Sequence, residues 1–375
     1  MSAKIAEKIS VFVPANRLNE RPSLRSLVKA FWLGATQPNA GVALSAVVLT
    51  LVGVLLFVGS STEARVRRTD AASWLRRVDD AYGHLTSLSI QGAERHARGP
   101  GATIVFVGPS VLQSLLLLPA ELDPVLTGAI GRPARGLDLT AGALSAMESA
   151  AVVDRFGTHF DGWLVLGVNR HTLARNLKRE QDRKTKLGFW VTFDSAVLDD
   201  ELSRAGLPAA RVWGVPLLDH SGFYCGSLAG WRYFGRKAPV YVRPLVRSSG
   251  RVTPAKIRAT NSIYEEAAFV ANLGVLARIA ERSRASGGAR LVIVECPFAD
   301  EVIAEVQTAA WRRERERFNQ RRDAWVAEHG IPWIDVTSEL GLKAEDFIDP
   351  QHVGSPEVRR RFLTVVARRL AAMEP

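Results

Sequence analysis

Five short apolar runs constrain the fold of this chain more strongly than any other feature. Several of them are apolar at nearly every position instead of alternating; they cover residues 102–108, 136–140, 162–169, 289–296 and 331–336. Strands that are buried on both faces have this pattern, as in parallel sheets covered by helices. Amphipathic stretches around residues 140–155, 261–285, 300–329 and 355–373 alternate with the runs. The order predicts an α/β fold, a three-layer α/β/α sandwich with a five-stranded parallel sheet.

The first apolar run leads directly into Gly108, Pro109 and Ser110, and then into an apolar helical stretch. Ligands of open α/β sheets bind beyond the carboxyl ends of the strands. A serine at such a strand-to-helix turn is exposed, with its backbone N–H near a helix N-terminus, so Ser110 is a candidate nucleophile and oxyanion donor. A helix N-cap serine has the same local signature, and for Ser110 alone this alternative stays open.

The C-terminal region supplies a base for this serine. Asp349 precedes His352 by three residues in a proline-containing turn, and of the seven histidines only His352 has an aspartate at that spacing. The carboxylate can orient one imidazole nitrogen and leave the other free to take a proton. The alternative is a surface turn in which Asp349 caps the following helix.

Two further residues follow the second and third apolar runs. Gly142 comes after the second run and offers a backbone N–H in a loop that a ligand can approach closely. Asn169 ends the third run and offers a side-chain amide. With the N–H of Ser110 they would form an oxyanion hole of three donors. Taken singly, Gly142 could be a turn glycine and Asn169 a helix cap.

A long apolar segment precedes these runs. Residues 41–59 are 19 residues of almost unbroken apolar character. A helix of this length spans about 28 Å, close to the hydrocarbon thickness of a bilayer, so we predict one N-terminal transmembrane helix. We assign residues 1–40 to a cytoplasmic tail with an interfacial amphipathic helix, residues 60–98 to a connector and residues 99–375 to the functional domain. A cleaved signal peptide or a buried core helix is the alternative.

The serine, the glycine, the asparagine and the D-x-x-H pair together resemble, in order, the four blocks of the SGNH hydrolase superfamily, also called GDSL-like. The resemblance implies that Ser110 is the nucleophile, His352 its base and Asp349 the residue that orients the base. It also implies that Gly142 and Asn169 complete the oxyanion hole with Ser110. The implied fold is flavodoxin-like, in agreement with the pattern of strands and helices.

The resemblance covers residues 102–175 and 289–370. It departs from the superfamily pattern in two places, because the first block reads GPS rather than GDS and Arg170 rather than aspartate follows Asn169. With its anchor, the chain is most similar to extracytoplasmic O-acylation proteins: the D-alanyl transfer protein of teichoic acids and the alginate and cellulose O-acetylation proteins. This implies a periplasmic serine esterase or O-acyltransferase that acts on a surface polysaccharide, with a polytopic membrane-bound O-acyltransferase as partner.

Other features leave the function more open. More arginines lie just after the apolar segment than just before it, and this distribution slightly favours a cytoplasmic C-terminal domain. The resemblance, in contrast, implies that the domain is exported. A non-catalytic binding or scaffold subunit of a membrane acyltransferase complex is the alternative function. Residues 186–260 contain 10 of the 29 aromatic residues and are predicted to be an insertion, which contacts sugars or a membrane partner or forms a small satellite core.

Composition and motifs exclude several classes of site. The formal charge of +11 fits an anionic membrane or glycan about as well as nucleic acid, and we predict no nucleic-acid partner. We also predict no cofactor and no metal, since the sequence contains no P-loop, dinucleotide fingerprint or C-x-x-C motif. Cys225 and Cys296 are interpreted as buried free thiols. Residues 311–322 hold six arginines and form either a solvated helix face or a surface for an anionic polymer.

Overall fold

The structure is a computed structural model. It describes residues 40–68, 101–117, 119–140, 144–156, 162–174, 196–204, 206, 252–260, 265–285 and 289–373. The chain divides into two compact units, residues 1–57 and residues 58–375.

The predicted N-terminal span forms a helix, α1 (Ala40–Arg68), which includes all of residues 41–59. Many of its large apolar side chains are exposed, Val42 to 73% and Leu49 to 70%. Within the residues that the structure describes, no helix is long and apolar enough to cross a membrane. The amphipathic helix expected within residues 1–40 lies outside the described residues.

The predicted five-stranded parallel sheet is confirmed. Its strands are β1 (Ala102–Gly108), β2 (Ala134–Thr140), β3 (Gly162–Val168), β4 (Arg290–Glu295) and β5 (Trp333–Asp335). Their order across the sheet is β2-β1-β3-β4-β5, and every neighbouring pair is parallel. This is the order of flavodoxin-like doubly wound sheets, in which the chain leaves β1 in one direction for β2 and returns on the other side for β3.

Several helices are shorter than the stretches that the sequence predicts to be helical. In the second unit they are α2 (Ser110–Leu115), α3 (Pro119–Ile130), α4 (Ala146–Phe156), α5 (Arg170–Leu173), α6 (Ala196–Arg204), α7 (Pro254–Thr260), α8 (Glu266–Ala285), α9 (Ala309–His329), α10 (Thr337–Leu340) and α11 (Pro356–Ala372). The stretch predicted to be helical from residue 300 begins with two 3₁₀ turns, Ala299–Glu301 and Ala304–Val306, and becomes an α-helix only after the Thr308 cap.

Two apolar cores lie on opposite faces of the sheet. Alternate residues of β1 separate between them, Val105 and Val107 into one core and Ile104 and Phe106 into the other. All four side chains are fully buried. Successive side chains of a strand point to opposite faces, so in a strand covered on both sides all side chains are buried and no set of alternate positions needs to be polar. The unbroken apolar runs of the sequence follow from this arrangement.

Two helices from the predicted insertion pack on the main domain. Val197 of α6 belongs to one core, and Ile257 of α7 is fully buried in the other. Glu201 of α6 also forms a salt bridge with Arg278 of α8. The ten aromatic residues of this region lie outside the described residues.

Close packing at the end of β1 requires glycine. Gly108 has φ of 153°, and a Cβ atom at this position would lie 2.8 Å from the backbone oxygen of Gly167. A Cβ on Gly167 would in turn lie 2.6 Å from the side chain of Leu112 in α2. The two glycines therefore let the end of β1, the end of β3 and the start of α2 approach one another where Ser110 begins the helix.

The arginine-rich helix α9 is not simply a solvated face. Arg315 and Arg322 turn toward the sheet and form ion pairs with the buried Glu295 at the end of β4. Trp333 of β5 also donates a hydrogen bond to Glu295, at 3.1 Å. These contacts hold α9 on the sheet, while Arg313, like several of its neighbours, stays exposed.

Glu301, beside this cluster, makes stability depend on pH. Burial, which outweighs the nearby Arg315 charge, raises the pKa of Glu301 to about 7. A carboxyl group with a raised pKa in the folded state favours folding below its unfolded pKa of about 4.3, and this contribution is lost as the pH rises through 7. We therefore expect Glu301→Gln to raise the melting temperature at pH 8 and to change it little at pH 4. An equal shift at both pH values in thermal unfolding experiments would contradict this assignment.

Candidate active site

Ser110 lies at the carboxyl edge of the sheet, as its position after β1 predicted. It is the first residue of α2, and Pro109, in extended backbone conformation, is the N-cap. Val107 of β1 pairs with Leu166 of β3. Ser110 comes two positions after the end of β1, and Asn169 comes directly after the end of β3 at the same edge of the sheet. The first N–H groups of a helix have no partner within the helix, so that of Ser110 is a candidate donor to a ligand.

His352 is presented by a hairpin-like turn. Phe347 and Val353 form an antiparallel bridge, and Ile348 N–H donates to the carbonyl of His352 at 2.9 Å. The turn is attached to α2 by Ser114, whose Oγ accepts a hydrogen bond from the N–H of Val353 at 3.2 Å. Ser114 in turn donates to a carbonyl of its own helix. Ser114 thus fixes the histidine turn relative to the helix that begins with Ser110.

Ser110, His352 and Asp349 form a continuous chain of hydrogen bonds. Nε2 of His352 lies 2.9 Å from Oγ of Ser110, and Nδ1 of His352 lies 2.7 Å from Oδ2 of Asp349. Residues 242 positions apart in the sequence are therefore in direct contact. The arrangement is that of a nucleophile, a base and a residue that orients the base.

The Asp349 carboxylate sets the direction of these hydrogen bonds. Partial burial acts to raise its pKa, but the hydrogen bond from His352 and the backbone N–H groups of Gln351 and His352 outweigh burial, so the pKa lies below its usual value. An ionised carboxylate accepts hydrogen bonds and cannot donate them, so Nδ1 of His352 carries the proton. Nε2 is then an acceptor for the Ser110 hydroxyl, which is the tautomer that a general base requires.

Asn169 offers a free amide donor at the same edge. It is buried, and it caps α5 through Oδ1, which accepts the N–H of Thr172 at 2.7 Å. The hydroxyl of Thr172 also accepts the N–H of Asn169, at 3.1 Å. With Oδ1 held in this way, Nδ2 has no hydrogen-bond partner among the described residues. A buried donor without a partner is what an oxyanion hole presents before its ligand binds.

Of the five predicted site residues, the structure brings Ser110, His352 and Asp349 into direct contact and places Asn169 at the same edge. Gly142 lies outside the described residues, two positions after the end of β2. The helix-cap alternative is correct for Asn169, since one side chain both caps α5 and leaves its amide nitrogen free. Asp349 caps no helix, because its oxygens are taken by its own turn and by His352.

Sequence reasoning missed the residues that hold this site together. Ser114 lies one helical turn after Ser110, and Thr172 stands at the third position after Asn169, which is the spacing of a capping box. Both spacings are visible in the sequence.

Cys296 is confirmed as a buried free thiol, while Cys225 lies outside the described residues. Within the described ranges no group of three or more His, Cys, Asp or Glu side chains could hold a metal ion.

Comparisons with known proteins add little. No protein-family model matches the chain, and no curated protein matches it. Among solved structures, the chain is similar to a protein from Bacteroides fragilis NCTC 9343 described as "a putative acylhydrolase", with 11% sequence identity and a TM-score of 0.34. That similarity covers 74% of this chain and 93% of the other.

Proposed function

We propose that the chain is an SGNH-like serine esterase or O-acyltransferase that removes or adds an O-acyl group on an exported or cell-surface polysaccharide. The observation that carries this proposal is the hydrogen-bond chain from Asp349 through His352 to Ser110, with distances of 2.7 and 2.9 Å. These hydrogen bonds are oriented so that the Ser110 hydroxyl can pass its proton to the imidazole of His352.

In the first half-reaction, Oγ of Ser110 attacks the carbonyl carbon of the acyl ester while Nε2 of His352 takes the hydroxyl proton. Asp349 stabilises the imidazolium and does not take the proton itself. The carbonyl oxygen becomes an oxyanion that accepts hydrogen bonds from Nδ2 of Asn169 and from the N–H groups of Ser110 and Gly142. The ester C–O bond then breaks, and His352 returns the proton to the leaving alkoxide.

In the second half-reaction, a hydroxyl group attacks the acyl-serine ester, and His352 takes the proton of that hydroxyl. The bond between the acyl carbon and Oγ breaks, and Ser110 recovers its proton from His352. Water as the attacking group gives hydrolysis, and a sugar hydroxyl gives transfer. The same residues serve both reactions, so the outcome depends on which hydroxyl group reaches the acyl-enzyme.

We propose a small acyl group, acetyl in the simplest case, as the group that is transferred. A recess lies beside the carboxyl edge of the sheet, and its walls include Pro109, Ser145, Ala146, Ser149 and Thr172. Pro109 directly precedes the proposed nucleophile. Leu144, Leu166 and Leu173 complete the walls and leave a recess of only about 10 Å³, and this small volume favours a short acyl chain over a long one.

Although no helix within the described residues is long and apolar enough to cross a membrane, we propose from the apolar run of the sequence that residues 41–59 anchor the chain to the cytoplasmic membrane as a single span, with the C-terminal domain in the periplasm. Support comes from the exposed apolar side chains of α1, such as Val42 and Leu49, since exposed apolar surface of this extent is stable in a bilayer. The acceptor would be a glycan or another surface polymer. A polytopic membrane-bound O-acyltransferase would be the partner that supplies the acyl group.

Reporter fusions test the proposed topology. Alkaline phosphatase fused after Pro375 is expected to be active in cells, and a fluorescent protein that folds only in the cytoplasm is expected to stay dark. Deleting residues 41–59 should release the fusion from the membrane fraction. An inactive phosphatase with a bright fluorescent fusion would place the domain in the cytoplasm and remove the surface-polymer part of the proposal.

The proposed activity is tested with acetyl esters. We expect the full chain in detergent or lipid nanodiscs to hydrolyse 4-nitrophenyl acetate and to release or transfer acetate on an O-acetylated polysaccharide, and we expect the Ser110→Ala variant to do neither. A chain that binds the polysaccharide, turns over no ester and does not react with a fluorophosphonate would instead be a scaffold subunit.

A further inference from the structure

A buried ion pair lies immediately beside the proposed oxyanion donor. Arg170 directly follows Asn169, and its Nη2 pairs with Oδ2 of Asp300 in the 3₁₀ turn after β4. The side chain of Arg170 is 3% exposed and that of Asp300 is 0% exposed. Charges so far from solvent are rare unless they are paired, and the mechanism above assigns neither of them a role.

Other groups fix the position of the Asp300 carboxylate. Trp311 of α9 donates a hydrogen bond to Oδ2 at 2.7 Å, and Nε2 of His171 lies 3.5 Å from the same oxygen. Burial acts to raise the pKa of Asp300, but its contacts with His171 and Arg170 outweigh burial, so the pKa lies below its usual value and the group is ionised. The ring of Trp311 also lies 5.3 Å from the Arg170 guanidinium.

The chain next to Asp300 contacts the histidine turn. The N–H of Ala299 donates to the carbonyl of Pro350 at 3.0 Å, and Pro350 lies between Asp349 and His352. On the other side, the N–H of Cys296 donates to the carbonyl of Val168 at 2.7 Å, at the end of β3. The loop of residues 296–300 therefore bridges the segment that carries the oxyanion amide and the turn that carries the base.

Stability does not explain the pair. Nε and Nη1 of Arg170 and Oδ1 of Asp300 are buried and have no hydrogen-bond partner among the described residues, and the only further charge near Nη1 in these residues is Oε1 of Glu314, at 3.8 Å. Each unsatisfied buried polar group costs roughly 1–3 kcal/mol. Apolar side chains of similar volume often stabilise such a position as well as an ion pair does. An ion pair does, however, define the distance and the angle between two segments of chain more narrowly than apolar packing.

We propose that Arg170 and Asp300 are positioning residues, whose ion pair fixes the amide of Asn169 relative to the turn that carries His352. This inference rests on the proposed serine chemistry. A displacement of about 1 Å between the oxyanion donor and the base is enough to lower a rate about 100-fold. The pair acts on the rate through geometry and does not contact the ester.

Kinetics of Arg170→Met and Asp300→Asn test this. We expect kcat for 4-nitrophenyl acetate to fall about 10- to 100-fold, with KM changed less than about 2-fold, because the altered geometry affects the transition state more than ground-state binding. Arg170→Lys, which keeps the charge but loses the planar fork, should recover part of kcat. Arg278→Met is the matched control, because it breaks another ion pair with a buried carboxylate, that of Glu201, which joins α6 to α8 and includes none of the site residues.

A double variant separates positioning from general loss of structure. In the Asn169→Ala background, Arg170→Met should cost less than about 3-fold, since the group that it positions is already gone. Independent, multiplicative losses, or a fall in kcat equal to that of Arg278→Met at equal folded fraction, would overturn the inference. Full activity of Ser110→Ala would overturn the proposed function itself, whereas loss of activity in Ser110→Ala with unchanged kcat in Arg170→Met would overturn only this inference.

Discussion

Ser110→Ala is expected to lower the rate of ester hydrolysis by about 10⁴-fold or more while the melting temperature stays within a few degrees of the parent value. A loss of this size is typical when a nucleophile is removed from a triad, because the remaining rate comes from the oxyanion donors and binding alone. Ser110 is only partly buried, and its substitution removes one hydroxyl group without opening a core cavity. Steady-state kinetics with 4-nitrophenyl acetate and thermal unfolding measure the two quantities.

His352→Ala is expected to lose nearly as much activity, and the double variant should be scarcely slower than either single variant. The 2.9 Å contact makes the two side chains one unit, so that removal of either stops the same step. Asp349→Asn should cost less than His352→Ala, since Asp349 orients and stabilises the imidazole and does not accept the proton. Multiplicative losses in the double variant would mean that Ser110 and His352 act in separate steps, and the triad would have to be abandoned.

The second large effect is expected at Asn169. Asn169→Ala should lower kcat about 100- to 1,000-fold with little change in KM, because in the proposed mechanism its Nδ2, which has no other partner among the described residues, donates to the oxyanion of the transition state and not to the ground-state ester. Loss of the α5 cap should also lower stability by about 1 kcal/mol. Asn169→Asp keeps an oxygen for the cap and removes the donor, so it separates the two roles.

Measurement of kcat, KM and the urea midpoint for both Asn169 variants tests this assignment. Asn169→Asp should retain most of the stability and lose as much activity as Asn169→Ala, or more, since a carboxylate would repel the oxyanion. If Asn169→Asp hydrolysed the ester at the parent rate, Asn169 would be a helix cap and nothing else.

Much of the fold could be predicted because both faces of the sheet are buried. A strand such as β1 is then apolar at nearly every position, and this pattern is visible without a structure. Strand β5 is only three residues long, Trp333–Asp335, although the apolar run that predicted it is longer. Helix α3 is not among the predicted stretches; Pro124 lies inside it, and the structure continues the helix through that position. Sequence periodicity alone cannot show that packing against β2 and α11 outweighs the proline.

The candidate site was predictable to a similar degree. The positions of Ser110 and Asn169 after two neighbouring strands predict their closeness, since parallel strands end at a common edge. The ion pair of Arg170 with Asp300 was not predictable, because its residues lie 130 positions apart and neither belongs to a local motif. The charge pattern of α9 alone does not show that Arg315 and Arg322 pair with a buried glutamate.

Active-site labelling with a fluorophosphonate, followed by mass spectrometry of the intact protein and its peptides, tests the central claim most directly. The reagent forms a stable bond with a serine Oγ that a neighbouring base has activated. We predict one adduct per chain, on the peptide that contains Ser110, with no adduct in the His352→Ala variant or in the urea-unfolded chain. An adduct on another serine of the folded chain, or no adduct at all, would contradict the assignment of Ser110 as the nucleophile.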